Sequence, residues 1–116
     1  MVVKEPSSKT FAVPRREAIL VFPEDSDYYG AEIRARLDVD VKTFFIFQGM
    51  GDDSPPEELT IAFRLFGDVI IKEWNLTDED EQPTPPTGEG FMTLPPALCI
   101  EIIGAWAEQA ATAGKA

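Results

Sequence analysis

Between Ala31 and Val41 apolar and charged residues alternate without a break. Ala31, Ile33, Ala35, Leu37, Val39 and Val41 are apolar; Glu32, Arg34, Arg36, Asp38 and Asp40 are charged. A period of two puts all six apolar side chains on one face of an extended chain, which predicts a half-buried strand. Upstream, Ile19-Leu20-Val21-Phe22 is a short apolar run closed by Pro23, and it reads as a second strand. The segment between them, "EDSDYYG", carries turn chemistry. Asp25, Ser26 and Asp27 are able to bond nearby backbone, and Gly30 accepts a positive φ. The two runs therefore predict a β-hairpin or the edge of a small antiparallel sheet. Two strands alone are marginal in water, so helices must cover the apolar face.

Beyond Val41 a dense aromatic cluster follows. "VKTFFIF" packs Phe44, Phe45 and Phe47 around Ile46. Asp40 is placed to cap a short helix there, and a continued strand is the other reading, because periodicity does not decide so short a run. "GMGDDSPP" stops the element. Ser54, followed by Pro55, Pro56, Glu57 and Glu58, predicts a helix start: a capping hydroxyl, prolines in the first turn and acids at the positive end of the dipole. Leu59, Ala62, Phe63, Phe66, Ile70 and Trp74 recur at intervals of three or four, which predicts one helix over 59–74. Gly67 and the β-branched Val69-Ile70-Ile71 support the alternative, a helix ending near Gly67 followed by a strand. A last helix is predicted over 95–111, with Leu98, Ile102, Ala105 and Trp106 on one face and Cys99, Ile103 and Ala110 widening it. The sum is a single α+β domain: an N-terminal β-hairpin or small antiparallel sheet packed with about three α-helices, with a mainly α fold as the alternative. Residues 1–10 read as a loose N-terminus, 76–94 as an acidic, Pro/Gly-rich connector and 112–116 as a frayed end.

Charge narrows what such a domain does. The 116 residues carry a net charge of −11 and contain no histidine. An acidic chain lacks the cations that displace counterions from phosphate, so neither nucleic acid nor an anionic membrane is an expected partner. Without histidine the commonest general base is absent, and so are the Ser-His and Cys-His pairings; no catalytic residue is assigned. Cys99 is alone, which rules out an internal disulfide and reads as packing. Gly49, Gly51, Gly88 and Gly90 form isolated GxG pairs that open no phosphate loop. "WNLTDEDEQPTPPTGEG" offers Asp78, Asp80, Gln82 and Glu89 at calcium-loop positions 1, 3, 5 and 12. Pro83, however, stands where the loop's glycine turns sharply, so no metal or other cofactor is expected. Met1–Thr10 is polar and no run approaches ~18 apolar residues, so neither a signal peptide nor a membrane span is expected.

The order of these segments carries a resemblance. It comprises "VFPEDSDYYGAEIRARLDVDV", then "EELTIAFRLFGDVIIKEWNLTDEDEQPTPPTGEGFMTLPP", then "ALCIEIIGAWAEQAA". The telling part is a tryptophan followed by Asn-Leu, a short acidic turn, Pro-Thr-Pro-Pro-Thr, Glu-Gly, Leu-Pro-Pro and a final tryptophan-bearing helix. Over residues 19–110 the chain resembles the tail assembly chaperones of long-tailed, siphovirus-type bacteriophages and prophages. The run Asp78–Glu81 is a departure from some relatives.

The resemblance implies a non-catalytic role. Family members hold the long, helical, apolar tape measure protein soluble while tail-tube subunits polymerise around it. They act in the host bacterial cytoplasm and are absent from the mature virion. Many also have a longer, frameshifted form that recruits the tail tube protein. Exposed apolar helix surface marks an interaction site, so Ile61 and Leu65, beside the main face of the central helix, and Ile103 and Trp106 on the last helix are the partner-binding candidates. A homo-oligomer is a further expected assembly. The connector 76–94 would let the last helix dock or swing when the tape measure binds. The rival reading is an acidic interaction or inhibitory module, such as a DNA mimic.

Overall fold

The computed structural model describes residues 10–48 and 54–113. The hairpin forms: β1 (Glu17–Leu20) and β2 (Ile33–Arg36) are antiparallel, with Leu20 opposite Ile33 and Ala18 opposite Ala35. A third strand, β3 (Ile71–Trp74), pairs antiparallel with the other edge of β2, giving the order β1-β2-β3. The pairing shifts register between Arg34 and Ala35. Alternation sorts the faces as the sequence requires. Leu20, Ile33, Ala35 and Ile71 are buried beneath the sheet. Arg34, on the open face, pairs with Glu73 at 3.0 Å and Glu17 at 4.0 Å.

β1 begins two residues before the predicted 19–22. Val21 is exposed, and Phe22 leaves the ladder to enter the core edge-on to Tyr28. Pro23 explains the early exit, since its carbonyl accepts the Ser26 N–H at 2.9 Å and already belongs to the turn. Within that turn Ser26 Oγ accepts the Tyr28 N–H at 3.1 Å, and Gly30 has φ +103°. Asn75 closes it from outside. Its Oδ1 accepts the Glu32 N–H at 2.8 Å and its Nδ2 donates to the Gly30 carbonyl at 3.0 Å.

The alternating pattern outlasts its strand. Leu37 and Val39 still pack against the core, but Asp40 Oδ1 accepts the Thr43 N–H at 2.7 Å and starts α1 (Val41–Gln48). The capping reading of Asp40 holds, and the continued strand does not form. α2 (Pro56–Leu65) opens on Pro55 as its N-cap, with Pro56 in the first turn as the sequence suggested. Glu57 and Glu58 lie in the first turn and Arg64 in the last, each favourable to the helix dipole.

The single helix predicted over 59–74 is corrected. α2 loosens into a π-helical turn at Phe66–Ile70, and the Ile71 N–H bonds back to the Phe66 carbonyl. The chain then extends into β3. Helical spacing survives at Phe66, Ile70 and Trp74 although the backbone has changed, because Phe66 and Ile70 are buried in the turn and Ile71 is buried at the head of the strand. β-branched Ile71 favours extended backbone, and the strand starts there.

The segment expected as a connector, residues 76–94, contains regular structure. Its first part is an ordered turn: Thr77 bridges Pro83, the Asp78 N–H bonds the Gln82 carbonyl at 2.8 Å, and Glu81 sits at φ 62°. Trp74 Nε1 donates to the Thr84 carbonyl at 2.6 Å and ties the loop to its own root. Its second part is a helix, α3 (Gly88–Met92), capped twice. Thr87 Oγ1 accepts the Gly90 N–H at 3.1 Å, and Asp68 Oδ1 accepts the Gly88 N–H at 2.6 Å. Phe91 of α3 has 0 % exposure. A segment with its aromatic side chain sealed in the core is not a free hinge. α4 (Pro96–Ala113) then spans the domain, burying Leu98, Cys99, Ile102 and Trp106. Among the described residues no helix is long and apolar enough to cross a membrane.

Candidate functional site

The aromatic centre of the core sets the position of α1. Phe47 meets Phe66 at 5.5 Å and Trp106 at 5.7 Å between ring centroids, both edge-on, and Phe66 meets Trp106 at 5.6 Å. Trp106 Nε1 donates to the Arg36 carbonyl at 2.8 Å, fastening α4 to the end of β2. Phe47 thus anchors α1 alongside α4, and the space between the two helices stays open.

That space is a groove of about 640 Å³. Val41, Phe44 and Phe47 form one wall; Ile103, Ala107 and Ala110 form the other, with Trp106 and Leu37 below. Exposure is uneven along α1. Thr43 is buried, while Val41 is 66 %, Phe44 45 % and Phe45 62 % exposed. At spacings of three and four these three residues share the outward face of the helix. Large aromatic rings left in water on one face are the signature of a contact surface.

One ion pair marks the rim. Arg16 Nη2 and Nε reach the Asp38 carboxylate at 2.7 and 2.9 Å, and the Arg16 N–H adds a third bond at 2.8 Å. The side-chain bonds from Arg16, then its backbone N–H, hold the Asp38 carboxyl well below the usual carboxylate range. The same bond raises Arg16 above its ordinary value. Each charge answers the other, so the rim holds no acid or base poised near neutrality. Apart from this pair the residues lining the groove are apolar.

The four candidates from the sequence separate into two pairs. Ile103 and Trp106 lie together in the groove. Ile103 is half-buried on its wall, and Trp106, 5 % exposed, is chiefly a core anchor whose ring also lines the groove. Ile61 is exposed on α2 and Leu65 is half-buried there; neither lines the groove. Val41 and Phe44, the opposite wall, were not singled out. The signal available was the Asp40 cap, which makes 41, 44 and 45 one helical face.

The remaining chemistry-bearing residues have structural work. Asp78 Oδ1 accepts the N–H groups of Asp80 and Gln82 at 2.8 and 3.0 Å, spending the first calcium-loop carboxylate on its own turn. Among the described residues no three Cys, Asp or Glu side chains converge as a metal site would require. Cys99 is buried, its thiol donates to the Phe91 carbonyl at 3.4 Å, and burial pushes its pKa up to about 11. It is a packed thiol rather than a nucleophile. A smaller recess of about 290 Å³ lies where α2 meets α3 and the start of α4, lined by Leu59, Phe63, Met92 and Leu94 among others. In comparisons with known proteins the chain matches no family model, no curated protein and no solved structure.

Proposed function

We propose that this protein is a non-catalytic chaperone that takes an apolar helical segment of a client into the groove between α1 and α4. On the sequence resemblance, the client is the tape measure protein of a siphovirus-type phage or prophage, held soluble in the host bacterial cytoplasm during tail tube assembly. The chaperone itself stays out of the mature virion. One observation supports this reading above the rest: Val41, Phe44 and Phe45 stand exposed beside an apolar groove on a chain of net charge −11. A holdase needs that combination. The apolar strip binds the client, and the acidic remainder keeps the complex dispersed. The groove suits a helix whose apolar stripe docks at i, i+3, i+4 and i+7. The tail tube protein is the second partner, through a longer frameshifted form.

The test is coexpression with a long, helical, apolar tape measure protein of a siphovirus-type phage. The expected result is a client that is soluble with the wild-type chain and insoluble with Phe44→Ser/Ile103→Ser, a variant altered only in the groove walls. Binding that collapses with added salt instead points to a charge-driven inhibitor, since apolar docking is not weakened by screening. That outcome overturns the chaperone reading.

A further inference from the structure

We propose that the free edge of β1 is a docking site for an extended, basic segment of another protein, which joins the sheet as an added strand. β1 is the end strand of the sheet, and among the described residues no chain pairs with its outer edge. The Arg16 carbonyl accepts the Leu37 N–H at 2.8 Å, so the even-numbered residues here turn their backbone groups toward β2. Glu17 and Ile19, with Val21 just past the strand, therefore turn theirs outward, a donor and an acceptor from each. Nothing blunts this edge. Edge strands commonly carry lysine, proline or an inward-pointing charge that discourages pairing, and "EAIL" has none of these. The same residues place apolar side chains on the open face of the sheet, where Ile19 is 52 % and Val21 63 % exposed.

Charge selects the partner. Glu17 reaches Arg34 only at 4.0 Å, and the Arg34 guanidinium is held by Glu73 at 3.0 Å. Glu32 faces Val21 when the β1–β2 register is continued by one pair; it is exposed and makes no ion pair among the described residues. Glu24 and Asp25 follow in the turn, both exposed. Arg15, just before the strand, acts on Asp38 and Asp40. Carboxylates thus stand at both ends of the apolar pair Ile19 and Val21. A strand that suits this edge sets an apolar side chain beside Ile19 and a lysine or arginine two residues to either side, because alternate residues share a face. A second copy of this chain does not suit it, since two β1 edges would bring carboxylates together on chains of net charge −11.

Backbone hydrogen bonds supply the affinity of such a contact, and the flanking side chains supply its selectivity. The edge is short, so the contact is weak and exchanging, and salt weakens it further by screening the exposed carboxylates. None of Glu17, Ile19, Val21 and Glu32 lines the groove between α1 and α4. The strand site therefore stands apart from the chaperone reading: failure of either leaves the other in place.

Amide NMR of the full chain, titrated at low salt with the peptide Thr-Lys-Thr-Val-Thr-Lys-Thr, tests the proposal. The expected result is binding at about 0.1 mM, with hydrogen exchange slowed at the Glu17, Ile19 and Val21 amides and unchanged at Ala18 and Leu20, which already face β2. The control is the same peptide N-methylated at its valine and both lysines. It keeps every charge but does not donate to the edge, and it is expected not to bind. Ile19→Pro deletes an outward donor without removing a bond to β2, and Glu32→Lys reverses a flanking charge. Each is expected to weaken binding about tenfold or more, with unfolding curves confirming the fold. No shift at about 1 mM peptide, equal binding of the methylated peptide, shifts confined to α1 and α4, or amides at 17, 19 and 21 already protected in the free chain would each overturn the proposal.

Discussion

Replacing Gly90 by alanine separates helix propensity from packing. Inside a helix alanine is favoured over glycine by about 1 kcal/mol, so local reasoning predicts a gain. The structure reverses the sign. A Cβ on Gly90 would fall 1.8 Å from the carbonyl oxygen of Pro85 and 2.9 Å from its carbonyl carbon. Ordinary contact begins near 3.5 Å, so α3 or the segment before it must retreat by more than an ångström. Neither retreats freely. The Pro85 carbonyl already accepts the Thr87 N–H at 2.9 Å, and Phe91 locks α3 between Phe66 and Phe63 at ring distances of 5.2 and 5.9 Å. Overpacking costs about 1–3 kcal/mol. Losing the Thr87 cap on the Gly90 N–H, 3.1 Å long, adds about 1 kcal/mol. Set against the helix gain, a net loss of about 1–3 kcal/mol is expected, a sizeable share of the roughly 5–15 kcal/mol that holds a domain together. Gly104→Ala is the control, with no neighbour within 4 Å of the new methyl. It should gain about 0.5–1 kcal/mol. Urea unfolding followed by circular dichroism at low protein concentration resolves the two. The midpoint falls by about 0.5–1.5 M for Gly90→Ala and rises by a few tenths for Gly104→Ala. If Gly90→Ala is as stable as wild type, α3 is not packed against Pro85 and the account of residues 85–92 fails.

Phe91→Ala should cost about 3–5 kcal/mol, whereas Phe45→Ala on the open face of α1 should stay within about 0.5 kcal/mol; equal effects in urea titrations would contradict the placement of the core. Native Cys99 should react with a thiol reagent at pH 8 at least ~100-fold more slowly than the unfolded chain, because its thiol is both buried and largely protonated; fast labelling of the folded protein would place it at the surface. Asp38 is held below its ordinary value in the fold, so its stabilising contribution is complete above about pH 5, and it declines as pH falls through ~3.9 towards the folded value. The melting-temperature gap between wild type and Asp38→Asn should therefore be widest near neutrality and shrink in acid, and a gap that stays constant would refute the linkage.

Strict alternation made the hairpin legible, since a face that buries Ile33 and Ala35 must expose Arg34 and Arg36 more. Asp40 was legible as a possible cap because its side chain competes for nearby backbone, while the short run after it left a continued strand equally open. The passage from α2 to β3 was not, because Phe66, Ile70 and Trp74 keep helical spacing across a change of backbone, and spacing alone does not register a π turn. α3 was hidden for a different reason. Its two glycines read as turn residues, yet they are there for clearance: a Cβ at Gly88 would lie 2.2 Å from the Arg64 carbonyl. Close approach of two backbones is a tertiary fact with no local signature. The groove was half visible. Ile103 and Trp106 stood out on α4, while the α1 wall lay in a run too short for periodicity to assign.

The two indoles give the molecule a built-in optical readout. Trp74 is half-buried with its N–H on the Thr84 carbonyl, at the root of the acidic turn, and Trp106 lies in the wall of the groove. A helix settling between α1 and α4 alters the surroundings of one ring and leaves the other as an internal reference. Emission from a Trp74→Phe variant would then follow occupancy directly, without a dye or a label.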